Sequence, residues 1–400
     1  MTPKASAVPS RARRPRREPA SSDSSARLTA RQLNRATLAR QLLLHRERLG
    51  VVEAIHQVVA LQAQAPPSPY LALWSRLADF EPAALDRAFA DASVVKATLM
   101  RATLHAVDAA DYPAFHEAMQ PTLRATRLPD PRFQVAGLSV ERVDALIAEV
   151  VDFASDARTN ADMEAWLDER LGVLPRPGIW WALRTYAPVV HAPTGGPWSF
   201  GHRPSYVAAH DQRRLGDSDA ALQTLVRRYL EGFGPATIAD VGRFALIPRT
   251  RLRAAFEALG ASLERFEGPN GELLLDVPGG LIPPEDAVAQ PRLMAMWDST
   301  LLAYADRGRV VPEAHRRHVT RVNGDVLPTL LVDGYVAGVW RPVDGGIEAT
   351  AFDVLSAEAW HGLESEARAL AGFLADREPS VYSRYGHWWK TLPNAEVRVL

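Results

Sequence analysis

The chain has no cysteine. That excludes disulfide frameworks, thiolate-held zinc, iron–sulfur clusters and cysteine nucleophiles, and it accords with a reducing compartment. There is no apolar stretch of the roughly 18 residues that a membrane helix needs, and no apolar core of a secretory leader near the start. The expectation is therefore a cytoplasmic, nucleoid-associated protein with no membrane partner. Glycine-rich phosphate loops, dinucleotide fingerprints and the Gly-x-Ser-x-Gly elbow are also missing, so nucleotide cofactors and hydrolase triads have no support. Net charge is almost absent, at −1 over 400 residues. The charge is nevertheless uneven. Lys4, Arg11, Arg13, Arg14, Arg16, Arg17 and Arg27 stand against Glu18 and Asp23, which gives Met1–Arg27 a local +5 and leaves −6 for the remainder. A duplex binder must displace counterions with clustered lysine and arginine. Any DNA site here has to be a local basic surface on a mildly acidic body.

What is present suits a globular protein of two to four small domains, with 47% hydrophobic and 23% charged residues. Residues 1–28 are rich in Pro, Ser, Ala and Arg and lack apolar periodicity. They read as a disordered basic tail, either a solvated extension or an arm on DNA. Residues 29–135 run in a different pattern. Thr29 can cap a helix carrying Leu33, Leu38 and Leu42, which Gly50 stops. Val51, Ile55, Val58 and Val59 then share one helical face. Pro66, Pro67 and Pro69 punctuate the chain. Tyr70, Leu73, Trp74 and Leu77 form another stripe, and a short helix near Ala83–Asp91 follows. Two β-prone runs, Val94–Met100 and Thr103–Val107, complete the unit. Helices followed by a hairpin are the order of a winged helix.

The same order recurs over 136–212, closing with Val189–His191 and Trp198–Phe200, and over 213–283, closing with Ser262–Glu267 and Glu272–Val277 around the turn pair Asn270-Gly271. Residues 284–400 are β-rich. Val326–Val332, Tyr335–Trp340 and Ile347–Phe352 read as a meander, followed by the capped helix Ser356–Leu374. The expected class is α+β, with three tandem winged-helix units and a barrel-like C-terminal domain.

The most informative string is Leu61-Gln62-Ala63-Gln64-Ala65-Pro66-Pro67-Ser68-Pro69-Tyr70, with two glutamines around one small residue where an apolar helix ends. By composition alone these are ordinary solvated amides. Taken with Leu33–Leu44, Tyr70–Leu77 and Leu99-Met100-Arg101-Ala102-Thr103-Leu104-His105, the string resembles the first domain of the AlkZ-like family of DNA glycosylases. The resemblance continues through Gly232–Asp240, Trp297-Asp298, Leu301–Arg309 and Pro328–Trp340, most of the chain after the tail. It implies that Gln62 and Gln64 are the catalytic pair lining a DNA-binding concavity. A related branch of the family carries aspartate at the second position, and this chain does not. It further implies a monofunctional enzyme, a monomer without cofactor, acting on double-stranded DNA that carries alkylated bases, N7-alkylguanine first, with interstrand crosslinks left as a further candidate. The alternative from another class is a non-catalytic winged-helix DNA-binding protein or transcriptional regulator, which the same architecture would serve.

Amides suit this chemistry. An N7-alkylated guanine is already cationic and departs neutral, so strong acid catalysis on the base is unnecessary. What remains is to hold a water and stabilise a sugar cation, which amide dipoles do. No lysine stands in the motif to form a Schiff base.

Further DNA contacts are expected from residues elsewhere. Arg101 and His105 lie at the first hairpin, where His105 contacts phosphate, supports the glutamines or is simply structural. Trp198, His202 and Arg203 surround a Gly/Pro turn that enters a groove or packs as an ordinary wing. Arg307, Arg309, His315, Arg316, Arg317, His318 and Arg321 form the densest basic run outside the tail, read as phosphate-binding or as a solvated face. Asp298 and Asp306 are expected to be structural. His315 and His318 have a spacing that suits a metal but lack a third ligand, so no metal is expected.

Overall fold

A computed structural model describes residues 26–172, 178–210 and 217–400. The expected tail lies outside the described residues except for its last few. There, Arg27 bridges Glu267 in parallel, Leu28 N–H donates to the Glu267 carbonyl at 2.8 Å, and Leu28 is buried. The folded body thus begins before Thr29.

Helices start where a side chain satisfies their free amides. Thr29, Thr159 and Thr237 each form a reciprocal capping box, with Gln32, Asp162 and Asp240. Ser139, Asp217 and Ser356 cap three more. The helix Ser218–Phe233 is typical of the interior. It buries Leu222, Leu225, Val226, Tyr229 and Phe233 on one face.

The first sheet has six strands: β1 Leu61–Gln62, β2 Val94–Thr98, β3 Leu104–Asp108, β4 Arg158–Thr159, β5 Val189–Ala192 and β6 Ser205–Ala208, in the order β1-β3-β2-β5-β6-β4. The hairpin β2–β3 belongs to the first expected winged unit and β5–β6 to the second. They are joined at the pairing of Lys96 with His191. Two of the expected wings are therefore one continuous sheet. The second strand of the second hairpin is β6, not Trp198–Phe200. Trp198 and Phe200 instead turn inward and join the apolar cluster of Tyr70, Leu73 and Phe89. A separate two-stranded sheet pairs β7 Glu264–Glu267 with β8 Leu273–Asp276.

The C-terminal strands are β9 Arg292–Leu293, β10 Thr329–Val332, β11 Tyr335–Val343, β12 Gly346–Ala351 and β13 Glu396–Val399. Their order, β13-β12-β11-β10-β9, is open. This corrects the barrel-like expectation. A barrel pairs its first strand with its last, whereas β9 and β13 stay at opposite edges. The helix Ala357–Ala375 packs on the sheet instead, with Trp360, Leu363 and Leu370 against Leu330, Trp340 and Ala349. The Asp333-Gly334 turn between β10 and β11 requires its glycine. Gly334 has φ +80°, and a Cβ there would lie 2.5 Å from Leu38 Cδ1.

One apolar core gathers Val59, Phe115, Leu146, Trp180, Leu225 and Phe244, residues from all three expected units. The units are fused rather than strung. The C-terminal domain is locked on by ion pairs. Arg76 Nη1 and Nη2 donate to Asp298 at 2.8 and 2.9 Å, and neither side chain is exposed at all. Ser299 Oγ, next in sequence, donates to the Ala60 carbonyl at 2.8 Å. Arg40 makes a similar buried pair with Asp276.

Replacing Arg76 with methionine strands the Asp298 carboxylate away from water. Urea unfolding should show a loss of about 3–5 kcal/mol. The exposed pair Arg48–Asp79 provides the contrast, and Arg48→Met should cost less than about 1 kcal/mol. Equal losses would show that the interior pair does not anchor the domain.

Candidate active site

The helix Val51–Val58 ends because Val59 takes φ 73°. With the Ala60 carbonyl held by Ser299, the chain enters β1, where Leu61 pairs with Ala106 and Gln62 with His105. Ala63 N–H then donates to the Leu104 carbonyl at 2.8 Å. The glutamine motif is thus an edge strand, not the end of a helix. Its register is set by β3, and its exit by the helix Ser68–Trp74 that begins among the prolines.

The β2–β3 connection is a short 3-10 turn, Met100–Ala102. Arg101 and Ala102 both lie in the left-handed region, at φ 55° and 53°, which costs on the order of 1–2 kcal/mol per residue. This turn brings the Arg101 guanidinium to three acceptors. Nη2 donates to Gln62 Oε1 at 2.8 Å and lies 3.3 Å from His105 Nε2, while Nη1 donates to the Phe244 carbonyl at 2.9 Å. His105 Nδ1 is 3.0 Å from the Thr103 carbonyl. A carbonyl only accepts, so Nδ1 carries the hydrogen and the Nε2 lone pair faces Arg101. Burial, then the charge of Arg101, pulls His105 down to about 3. Burial, then Arg307 and Arg243, pulls Arg101 down to about 10. The imidazole is a neutral acceptor and the guanidinium a fixed cation.

The two glutamines differ in exposure. Gln62 is 5% exposed and its carbonyl is held. Gln64 is exposed and lines a cleft of about 440 Å³. Residues directly opposite across strands share a face. Gln62, His105 and Ala97 therefore lie on one face of the sheet, and Leu61, Ala106, Lys96 and His191 on the other.

The remaining expected residues separate into groups. Arg307, Arg316 and Arg317 line a basin of about 630 Å³ together with Arg243, which sequence reasoning did not single out. Glu313 is the one carboxylate among its lining residues. Burial, then Arg243 and Arg316, lowers Arg307 to about 10. Arg309 lies apart from this basin. Its Nη1 donates to the Pro235 carbonyl at 2.8 Å, and its guanidinium lies over the Tyr304 ring at 4.2 Å, outside this basin. Trp198 is corrected too. It is 3% exposed, donates to Glu378 and packs edge-on against Tyr70, so it has no surface to offer a groove. His105 is fully buried and reaches no phosphate. Its Nε2 faces Arg101, which in turn donates to Gln62. His202 lines the cleft beside Gln64, and Arg203 is exposed nearby. Lys96, Arg127, Arg184 and Arg384 also line that cleft and were not anticipated. Only Lys96 carried a signal, a lone lysine inside the β-prone run Val94–Thr98. Asp298 and Asp306 cap turns, and Asp298 pairs with Arg76.

One group of metal-capable side chains stands out among the described residues, His56, Asp108 and Asp111. Arg228 already supplies a cation there, donating to Asp111 at 3.0 Å. His315 does not converge with His318. Its two nitrogens meet the Val336 carbonyl and Asp353, both at 2.9 Å.

A histidine neutral in the fold but protonated when unfolded makes the unfolded state bind more protons, so stability falls as pH drops below about 6.5. The folded value near 3 for His105 sets the lower limit of that window. Between pH 6 and 4 the unfolding free energy of the wild type should fall more steeply than that of His105→Gln, by about 1.4 kcal/mol per pH unit. Parallel profiles would show that His105 is protonated in the fold.

Three comparisons bear on this arrangement. Residues 55–373 match the family described as DNA glycosylase AlkZ-like. A curated protein of Streptomyces sahachiroi, the interstrand DNA cross-link repair glycosylase, is 26% identical over 366 residues, 85% of this chain and 95% of that protein. The solved structure of Streptomyces sahachiroi DNA glycosylase AlkZ shares the fold, with a TM-score of 0.72 at 23% identity, over 86% of this chain and 96% of the other.

Proposed function

The chain belongs to the AlkZ-like family of DNA glycosylases, and from that premise we propose that it hydrolyses the N-glycosidic bond of alkylated purines in duplex DNA, N7-alkylguanine above all. The observation that carries this reading is the pair of amides, one clamped and one exposed. Gln62 Oε1 is fixed by Arg101 at 2.8 Å, and Gln64, two residues on, stands exposed at a cleft.

In the proposed step water adds to C1′, the C1′–N9 bonding electrons return to the cationic imidazolium ring, and one proton passes to solvent. The alkylated base leaves neutral and an abasic site remains. No proton need be delivered to the base, so amides suffice. Gln64 positions the water. Gln62, nearly buried and held by Arg101 before the reaction begins, keeps the motif and Gln64 in place without reorganisation. The arginine basin of Arg243, Arg307, Arg316 and Arg317 holds the phosphate backbone on the Arg101 side. Gln64 stands exposed at an open cleft. That supports action on adducts too bulky to be flipped, including interstrand crosslinks, the substrate named for the Streptomyces sahachiroi relative. The proposed unit is a monomer.

The test is release of free base from duplex DNA containing N7-methylguanine. Gln64→Ala should slow single-turnover release by about 10²–10³. Arg101→Met, which frees the Gln62 amide, should slow it without abolishing duplex binding. Wild-type release from the double variant Gln62→Ala, Gln64→Ala would remove the proposed roles.

A further inference from the structure

The cleft behind Gln64 has an unusual charge pattern for a protein of net charge −1. Lys96, Arg127, Arg184 and Arg384 line it, with His191 and His202, and among the described residues its lining includes no aspartate or glutamate. Among the described residues, none of these four cations has a carboxylate within ion-pair distance. Arg127 donates to Thr185 and lies over the Trp181 ring at 4.3 Å. Arg184 meets Asn160 and the Tyr206 hydroxyl at 3.3 and 3.1 Å. Arg384 donates to the Tyr385 hydroxyl.

Lys96 is the extreme case. Its side chain is on β2, 4% exposed, and its ammonium lies 4.2 Å over the centre of the Phe200 ring. Desolvation alone lowers it to about 8. The charged groups facing it from packed elements are all basic: His191 on β5, Arg184 on the helix Ile179–Tyr186, and beyond them Arg127, Arg384 and His202. Burial and then the charges of Lys96 and Arg184 lower His191 to about 3, so it stays neutral. A buried cation without a partner is costly, and a ring face recovers only part of that cost. The position makes physical sense if the missing partner arrives from outside and is an anion.

We infer that this cleft is a phosphate-binding site for the backbone of the DNA strand that passes Gln64, with Lys96 as the buried cation that the phosphate neutralises. The inference rests on the reading above only in taking DNA as the substrate. It places phosphate contacts on both sides of the glutamine motif. The arginine basin lies on the Arg101 side and the Lys96 cleft on the Gln64 side, so a strand is held at two points with the amides between them. The contact is to backbone and carries no sequence preference.

The experiment compares wild type, Lys96→Met and Lys96→Arg for equilibrium binding to a short lesion-free duplex and for base release from the N7-methylguanine duplex. Lys96→Met should weaken binding to both duplexes equally. It should also reduce the slope of log affinity against log salt by about 1. Phosphate bound at Lys96 raises its proton affinity, so wild-type binding takes up a proton above pH 8 and weakens there, by up to about tenfold per pH unit. Lys96→Arg should keep the salt slope and lose that weakening. Thermal unfolding of Lys96→Met should occur no lower than in the wild type, which separates lost contact from lost fold. Wild-type affinity and salt slope in Lys96→Met would overturn the inference. If base release is seen while Lys96→Met binds normally, the cleft assignment fails alone. If no protein releases base yet the salt and pH shifts appear, the catalytic reading fails and the cleft stands.

Discussion

Two opposite charges with no water around them, Arg76 and Asp298, hold the molecule in register. Removing such ions from water costs several kcal/mol each, and only close two-point geometry returns it. The pair is therefore stable in one arrangement of the first unit against the C-terminal domain. Ser299, beside Asp298, grips the Ala60 carbonyl, and β1 starts at the next residue. The position of the glutamine motif is thus set from the far end of the chain. Arg101 then fixes Gln62 from the other side. Preorganisation here consists of interior polar contacts that tolerate little displacement.

Electrostatics act on two scales. The whole chain is nearly neutral, yet eight of its cations line two basins in which Glu313 is the one carboxylate among the described lining residues. Such focusing raises the local concentration of a polyanion without a large overall charge. Burial keeps the interior histidines neutral. The imidazole of His105 therefore serves as a hydrogen-bond acceptor, and among the described residues Arg101 is the charged group bonded to the Gln62 carbonyl.

Local chemistry was legible in the sequence. Thr29 and Ser356 announce helix starts and sit at them. Asp333-Gly334 and Asn270-Gly271 announce turns and form them. The resemblance singled out Gln62 and Gln64, which composition could not. What was illegible is long-range. Arg76 and Asp298 are 222 residues apart, and no periodicity links them. Lys96, Arg127, Arg184 and Arg384 come from separate elements and converge only in three dimensions. Trp198 beside a basic turn read as a surface probe, because a sequence does not tell which way an aromatic on a loop will face. The barrel-like reading failed because strand number alone does not say whether the outer strands meet.

The pairing of Lys96 with His191 makes β2 and β5 neighbours in one sheet. Helical units that merely abut can be exchanged between genes like cassettes. Here a recombination breakpoint between the first two units would leave β2 with a bare edge, an invitation to mispair with another chain. The two units therefore form one block, in which a change to either strand is felt by both.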